Sequence, residues 1–290
     1  SFLARYAAHP KAQLARYGLG LSQFALKQYD KAVSEFLKLI NDPKLDKKIE
    51  RGRLTLLHAQ CLLYGGKKEE AQARLVAAAS NLPAGVHQTG AIAAVADLFF
   101  GQNDWQKTVT WARKVQAVKS DSSQRLRAGY QEGFALFKLE KFAEAITGLE
   151  KTRTLATTAK SESWVTRINY LLSECHVANK GLDKAEVALQ SALANLRGSS
   201  AVDAQYRLGT IKFNQEKWIE AQADFENFLR DNKQPEKEDA RIREAKFQVA
   251  RCLMEQQETN KADKKFGDLS NGTDEVAGRA VFWKGRLYSR

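Results

Sequence analysis

Proline is scarce, at four residues in a chain of 290. A proline ends or kinks a helix by lacking the amide donor, so its rarity leaves long helical stretches unbroken. Runs of alternating β-branched residues are also missing, which leaves little from which to build a sheet. No long apolar run exists either. The longest, residues 91–100, is about half the length needed to cross a bilayer and carries Asp97, so no transmembrane helix is expected. No charged region followed by an apolar core marks a signal peptide. The chain starts at Ser1-Phe2-Leu3 without an initiator methionine, and it reads as an excerpt or a processed form.

Reactive and metal-binding residues are few. His9, His58, His87 and His176 are scattered, with no second histidine or carboxylate at ligand spacing, so no metal site and no cofactor are implied. There is no phosphate loop, no G-x-S-x-G elbow and no H-E-x-x-H helix. Tyr17-Gly18-Leu19-Gly20 follows no strand and reads as helix packing rather than a dinucleotide fingerprint. These absences favour a non-catalytic protein.

The residues that are present repeat. Hydrophobic residues make up 43% of the chain, enough to fill a core and to exclude disorder. The stretch 204–225 holds two helical patterns joined by the polar turn Asn214-Gln215-Glu216-Lys217, and the rest of the chain repeats it. Small residues recur at Ala32, Ala71, Thr108, Ala145, Ala185, Ala221 and Ala262, spaced by 39, 37, 37, 40, 36 and 41 residues. Twelve residues before each stand Gly20, Ala59, Ala96, Gly133, Ser173, Gly209 and Ala250, and Gly285 opens an eighth unit. Four residues after each marker stand Phe36, Leu75, Ala112, Leu149, Leu189, Phe225 and Phe266, as one helical face requires. Polar stretches at 41–48, 156–163 and 231–239 separate the units, with Pro43 and Pro235 as breakers and with Asp121 and Ser161 as expected helix caps. Cys61, Cys175 and Cys252 lie ten residues before their markers in non-adjacent units, too far apart for a disulfide, so free buried thiols are expected.

This pattern resembles the tetratricopeptide repeat, in which small residues at the eighth and twentieth positions let two helices approach closely. The resemblance implies an all-α protein: an α-solenoid of helix-turn-helix repeats forming a right-handed superhelix, continuous over residues 1–290. Residues 1–10 would close a preceding repeat, where Phe2 and Pro10 match the large residue and the terminal proline, and 275–290 would form the first helix of a further one. Both ends then cut the pattern in mid-repeat. The native protein is expected to continue beyond them, or a partner or second copy to cover Phe2, Phe282 and Tyr288, which allows self-association through uncapped ends.

In this family the first helices line the concave surface. The resemblance therefore nominates the aromatic residues of the fifth and twelfth positions as partner-binding: Tyr17, Phe24, Tyr130, Phe137, Tyr170, Tyr206, Phe213 and Phe247. Beside the tyrosines stand Arg127, Arg167 and Arg251, placed to fix acidic side chains. The alternative is that the aromatic residues pack between neighbouring helices. The carboxylate clamp of chaperone-binding relatives is absent, because the fifth position is aromatic or aliphatic. The base-reading residues of pentatricopeptide RNA binders and the glycine-rich turn of Sel1-like repeats are absent too, so no specific nucleic acid is expected.

The net charge of +12 is concentrated in the first half, where residues 1–145 carry 22 Lys+Arg against 13 Asp+Glu and the remainder 24 against 21. Such a balance suits acidic protein or peptide partners, anionic lipid or nucleic acid, and it is equally what the solvated lysines and arginines of a helical-repeat surface give. The segments Phe225-Glu226-Asn227-Phe228-Leu229 to Ala250, and Phe2-Leu3 to Gly20, are similar to repeats of the bacterial outer-membrane assembly lipoprotein and the periplasmic Tol-system coordinator. That similarity implies a periplasmic or cell-envelope scaffold organising a multiprotein complex. A regulatory or targeting arm of a larger enzyme is the other reading.

Overall fold

The computed structural model describes residue 5 and residues 9–118, 120–232 and 239–288; Phe2 and Pro235 lie outside them. Among the described residues the chain is a series of α-helices with no strand. They belong to two compact units, residues 1–141 and 142–290. The first contains α1 (Ala12–Ala25), α2 (Tyr29–Ile40), α3 (Arg51–Tyr64), α4 (Lys68–Asn81), α5 (Val86–Gly101), α6 (Trp105–Ala117) and α7 (Ser122–Lys138). The second contains α8 (Phe142–Thr158), α9 (Glu162–Ala178), α10 (Leu182–Leu193), α11 (Ser199–Asn214), α12 (Trp218–Asp231), α13 (Arg241–Glu255), α14 (Thr259–Ser270) and α15 (Glu275–Leu287). Within each unit every helix packs on the next. The first helices of successive repeats also touch, α3 on α5, α5 on α7 and α13 on α15.

The small residues are the closest points of that packing. All seven markers of the second helices, from Ala32 to Ala262, have no exposed surface. The seven expected small residues of the first helices, from Gly20 to Ala250, are buried as well. The reason is visible at Gly20, where a Cβ would stand 2.5 Å from the Phe36 ring, and at Gly209, where it would stand 3.0 Å from Phe225. Glycine makes room for the large residue of the facing helix, and the seven residues of the twenty-fourth position, six large ones and Ala112, are buried in turn. Gly285 differs. It is exposed, and a Cβ there would meet nothing within 4 Å.

The hairpin turns share one device that their residue types hide. At the fifteenth position of the seven repeats stand Lys27, Gly66, Asn103, Glu140, Lys180, Glu216 and Gln257, all with left-handed φ between 58° and 84°. In each, the next amide donates back to the carbonyl five residues earlier, as from Gly181 to His176 at 2.8 Å and from Lys217 to Lys212 at 3.0 Å. This closure satisfies carbonyls that a helix end leaves open. Six of the seven positions lack glycine and carry a left-handed conformation that disfavours L-residues by about 1–2 kcal/mol. Asp121 caps α7 as expected, accepting from the Gln124 amide at 2.8 Å, whereas Ser161 makes no such bond to α9.

Cys61, Cys175 and Cys252 are free and fully buried. Burial pushes the Cys61 thiol up to about 11 and the other two to about 12. The folded protein should therefore resist iodoacetamide at mildly alkaline pH, while the unfolded, unreduced chain should gain three labels by mass spectrometry. Fewer than three labels would mean a bridge, and would contradict the register.

His58 sits in α3 with 3% of its surface exposed and neither ring nitrogen hydrogen-bonded. Burial first, and the Arg74 charge second, push its pKa down to about 4. The fold thus holds the neutral imidazole, and the unfolded chain gains the proton first as pH falls. Stability from this group is complete above the unfolded value near 6.5 and declines toward pH 4, by about 2–3 kcal/mol in all. Urea midpoints should fall over that window, and His58→Leu should reduce the slope by this group's share, leaving that of His176, whose pKa burial also lowers. An unchanged slope in the variant would show that other groups set the acid sensitivity.

Candidate first-helix binding face

Each hairpin presents the outer edge of its first helix, where the fifth, ninth and twelfth residues lie one turn apart. In the 142–290 unit, Tyr206 is half-buried, with its ring 5.8 Å from Phe225 and 5.1 Å from Phe228. Phe213 lies 5.0 Å from Trp218, edge to face. Tyr170 donates its hydroxyl proton to Asp203 of the neighbouring first helix, and burial together with that carboxylate raises its pKa. Phe247 departs from the expectation of a contact residue. It has no exposed surface, being packed 5.8 Å from Phe266 and covered by the Arg279 guanidinium at 4.2 Å, so it serves the core.

In the 1–141 unit, Tyr17 leans on Phe36 at 6.2 Å, the contact equivalent to Tyr206 on Phe225. Phe24, Tyr29 and Tyr64 form a three-ring cluster with centroids 5.7 to 6.0 Å apart. A second cluster joins Phe100, Trp105 and Phe134 at 5.4 to 5.9 Å, and Tyr130 stacks on Phe134 at 6.4 Å. Phe137 is half-buried beneath the Lys138 ammonium, 5.8 Å from its ring. Most of the aromatic stripe therefore packs between helices and also keeps an exposed edge.

The three arginines already have partners in the chain. Arg127 pairs with Asp97 at 2.8 Å. Arg167 lies over the Trp164 ring at 5.5 Å, and Arg251 covers Trp283 at 3.8 Å and Phe213 at 5.4 Å. Of the nominated residues, Phe213 and Arg251 are brought together.

A charge ladder that was not singled out in the sequence crosses the same face of the 142–290 unit. Arg207 binds Glu174 at 2.6 Å and Asp203 at 2.8 Å; Arg241 binds Asp203 at 2.6 Å and Asp239 at 2.7 Å; Arg279 binds Glu244 at 2.8 Å. Burial alone would raise the Asp203 carboxyl. The hydrogen bonds from Tyr170 and Arg207, with the charges of Arg207 and Arg241, outweigh it and hold the group below the usual carboxylate range. The signal available in the sequence was alternation of sign between adjacent first helices, for instance Glu174 with Arg207 and Glu244 with Arg279.

No helix among the described residues is long and apolar enough to cross a membrane. At α15, Phe282 and Tyr288 are 59% and 72% exposed.

Residues 1–46 match the tetratricopeptide repeat family model. No curated protein sequence is significantly similar to the chain. Among solved structures, the C-terminal part of a TPR repeat-containing protein from Cytophaga hutchinsonii aligns with a TM-score of 0.64 at 15% identity, over 91% of this chain and 99% of that one. The apo form of RapI gives 0.61 at 11% identity over 96% and 85%. MamA from Desulfovibrio magneticus RS-1 gives 0.52 at 20% identity over 63% and 95%. The fold is thus an α-solenoid of tetratricopeptide-like helical hairpins.

Proposed function

We propose that the chain is a non-catalytic scaffold that binds peptide segments or partner proteins along its first-helix face and organises a multiprotein complex in a bacterial cell envelope. The observation that carries this reading is the half-buried aromatic residues of each unit, Tyr17, Phe24, Tyr130 and Phe137 in 1–141 and Tyr170, Tyr206 and Phe213 in 142–290, held by packing with one edge left open. Rings already fixed lose little conformational freedom on binding, so their remaining area favours association. The envelope setting is supported by the likeness of 225–250 and 2–20 to envelope repeats.

The test is a pull-down from the native extract with the unmodified chain and with a Tyr130→Ala, Tyr206→Ala double variant whose helicity and melting are checked first. Truncating buried anchors should weaken capture by about 1–2 kcal/mol per residue. At least one partner should be lost. Retention of every partner by a folded double variant would overturn the assignment of this face.

A further inference from the structure

The first-helix face of the 1–141 unit contains a recess at α5, whose neighbours α3 and α7 carry larger side chains at the equivalent positions. At the second, sixth, ninth and thirteenth positions α3 carries Arg53, Leu57, Gln60 and Tyr64, and α7 carries Arg127, Gln131, Phe134 and Lys138; α5 between them has Gly90, Ala94, Asp97 and Gly101. A cavity of about 500 Å³ opens there, walled by Leu56, Leu63 and Tyr64 of α3 and by Ala94 and Leu98 of α5, with Lys68 at its edge. A second hollow of about 310 Å³ continues past Gly90 and Ala93 to Arg127 and Gln131. Cavities of this size are in the range that holds a ligand group, roughly 300–1,000 Å³.

Two further observations indicate what fits. Tyr64 holds 60% of its surface open at the mouth, an aromatic edge that a partner could cover. The charges at the recess also leave a positive balance. Asp97, the one carboxylate lining it, is paired with Arg127 at 2.8 Å and accepts a hydrogen bond from the neutral Gln131 amide at 2.7 Å, while Lys68 at the edge and the exposed Arg53 elsewhere on α3 form no ion pair among the described residues. The unit as a whole carries 22 Lys+Arg against 12 Asp+Glu over residues 1–141. On the 142–290 unit a partner's carboxylate would have to compete with Glu174, Asp203 and Glu244 for arginines already paired.

We propose that the recess between α3 and α5 receives a large apolar side chain of an acidic peptide segment, with Tyr64 closing over it and the surplus cations holding the flanking carboxylates. This rests on the reading of the first-helix face as the binding surface, and it assigns the partner's chemistry and the point of anchorage.

The probe is a short fluorescein-labelled polyglutamate peptide with one central phenylalanine, compared by fluorescence anisotropy with the same peptide carrying alanine. Burial of the ring should make the phenylalanine peptide bind about tenfold tighter or more. Ala94→Phe, which fills the recess, and Tyr64→Ser, with melting checked first because the ring also packs on Phe24 and Tyr29, should each abolish that advantage and leave the alanine peptide unaffected. Lys68→Glu should weaken both peptides alike. Equal binding of the two peptides, or an advantage that survives in Tyr64→Ser and in an Ala94→Phe protein with native melting, would overturn the proposal. Partners from the extract that are lost with the tyrosine double variant but kept by Ala94→Phe would remove the recess and leave the scaffold reading standing. Discrimination between the peptides by the recess, with every extract partner retained by the double variant, would do the reverse.

Discussion

Methionine in place of Lys212 is expected to lower the stability of the 142–290 unit by about 3–5 kcal/mol at neutral pH, the usual cost of removing one partner of a buried pair. The Lys212 ammonium lies 2.7 Å from Asp224, and their side chains are only 12% and 9% exposed. Gln205 donates a further hydrogen bond to the same carboxylate. Burial still pushes Asp224 above the usual carboxylate range, so desolvation outweighs the attraction even with the partner in place. Without Lys212 the carboxylate would be stranded and its pKa would rise further. A carboxyl with a raised folded pKa stabilises the fold in its protonated form and costs stability as pH rises through that pKa. The deficit of the variant relative to the parent should therefore shrink as pH falls toward the ordinary carboxylate range. The pair itself adds little, so a Lys212→Met, Asp224→Leu double variant should recover most of the loss. Urea denaturation at neutral and mildly acidic pH measures both effects, and a single variant as stable as the parent would mean that Asp224 is better solvated than its burial indicates.

The largest steric effect is expected at the Gly209 and Phe225 crossing. Phe225 is fully buried, and its ring occupies the space that a side chain at position 209 would need. Phe225→Ala should cost about 3–5 kcal/mol through lost burial and the cavity left behind. Gly209→Leu should cost on the order of 1–3 kcal/mol by overpacking the same crossing. Because the two substitutions act on one space from opposite sides, the double variant should be more stable than the sum of the single losses by about 1 kcal/mol or more. Simple additivity would show that the residues do not face each other.

The repeat register was readable because close helix packing demands small residues at fixed intervals, and no chemistry competes for positions such as Ala32, Ala145 or Ala221. The turns were less readable. A left-handed residue is normally announced by glycine, yet Lys27, Glu216 and Gln257 adopt it under the demand of the back-bonded helix end. Ser161 looked like a cap and is not, since its hydroxyl makes no bond to the helix that follows. The aromatic stripe was legible as a pattern but not in its exposure. Tyr206 keeps an open edge while its equivalent Phe247 is sealed by Arg279. That difference depends on a residue one repeat later, which local spacing does not reveal. For the same reason the arginines expected to await acidic partners proved to be engaged, Arg127 by Asp97 and Arg251 by Trp283.

The central claim, that partners dock on the first helices, is tested most directly by hydroxyl-radical footprinting of the chain with and without a partner recovered from the native extract. Oxidation of Tyr130, Tyr170, Tyr206 and Phe213 should fall on binding, because each keeps an open edge on a first helix. Val187 and Ile219, 63% and 71% exposed on the second helices α10 and α12, should be oxidised as before. Protection confined to Val187 and Ile219, with the tyrosines unchanged, would contradict the account.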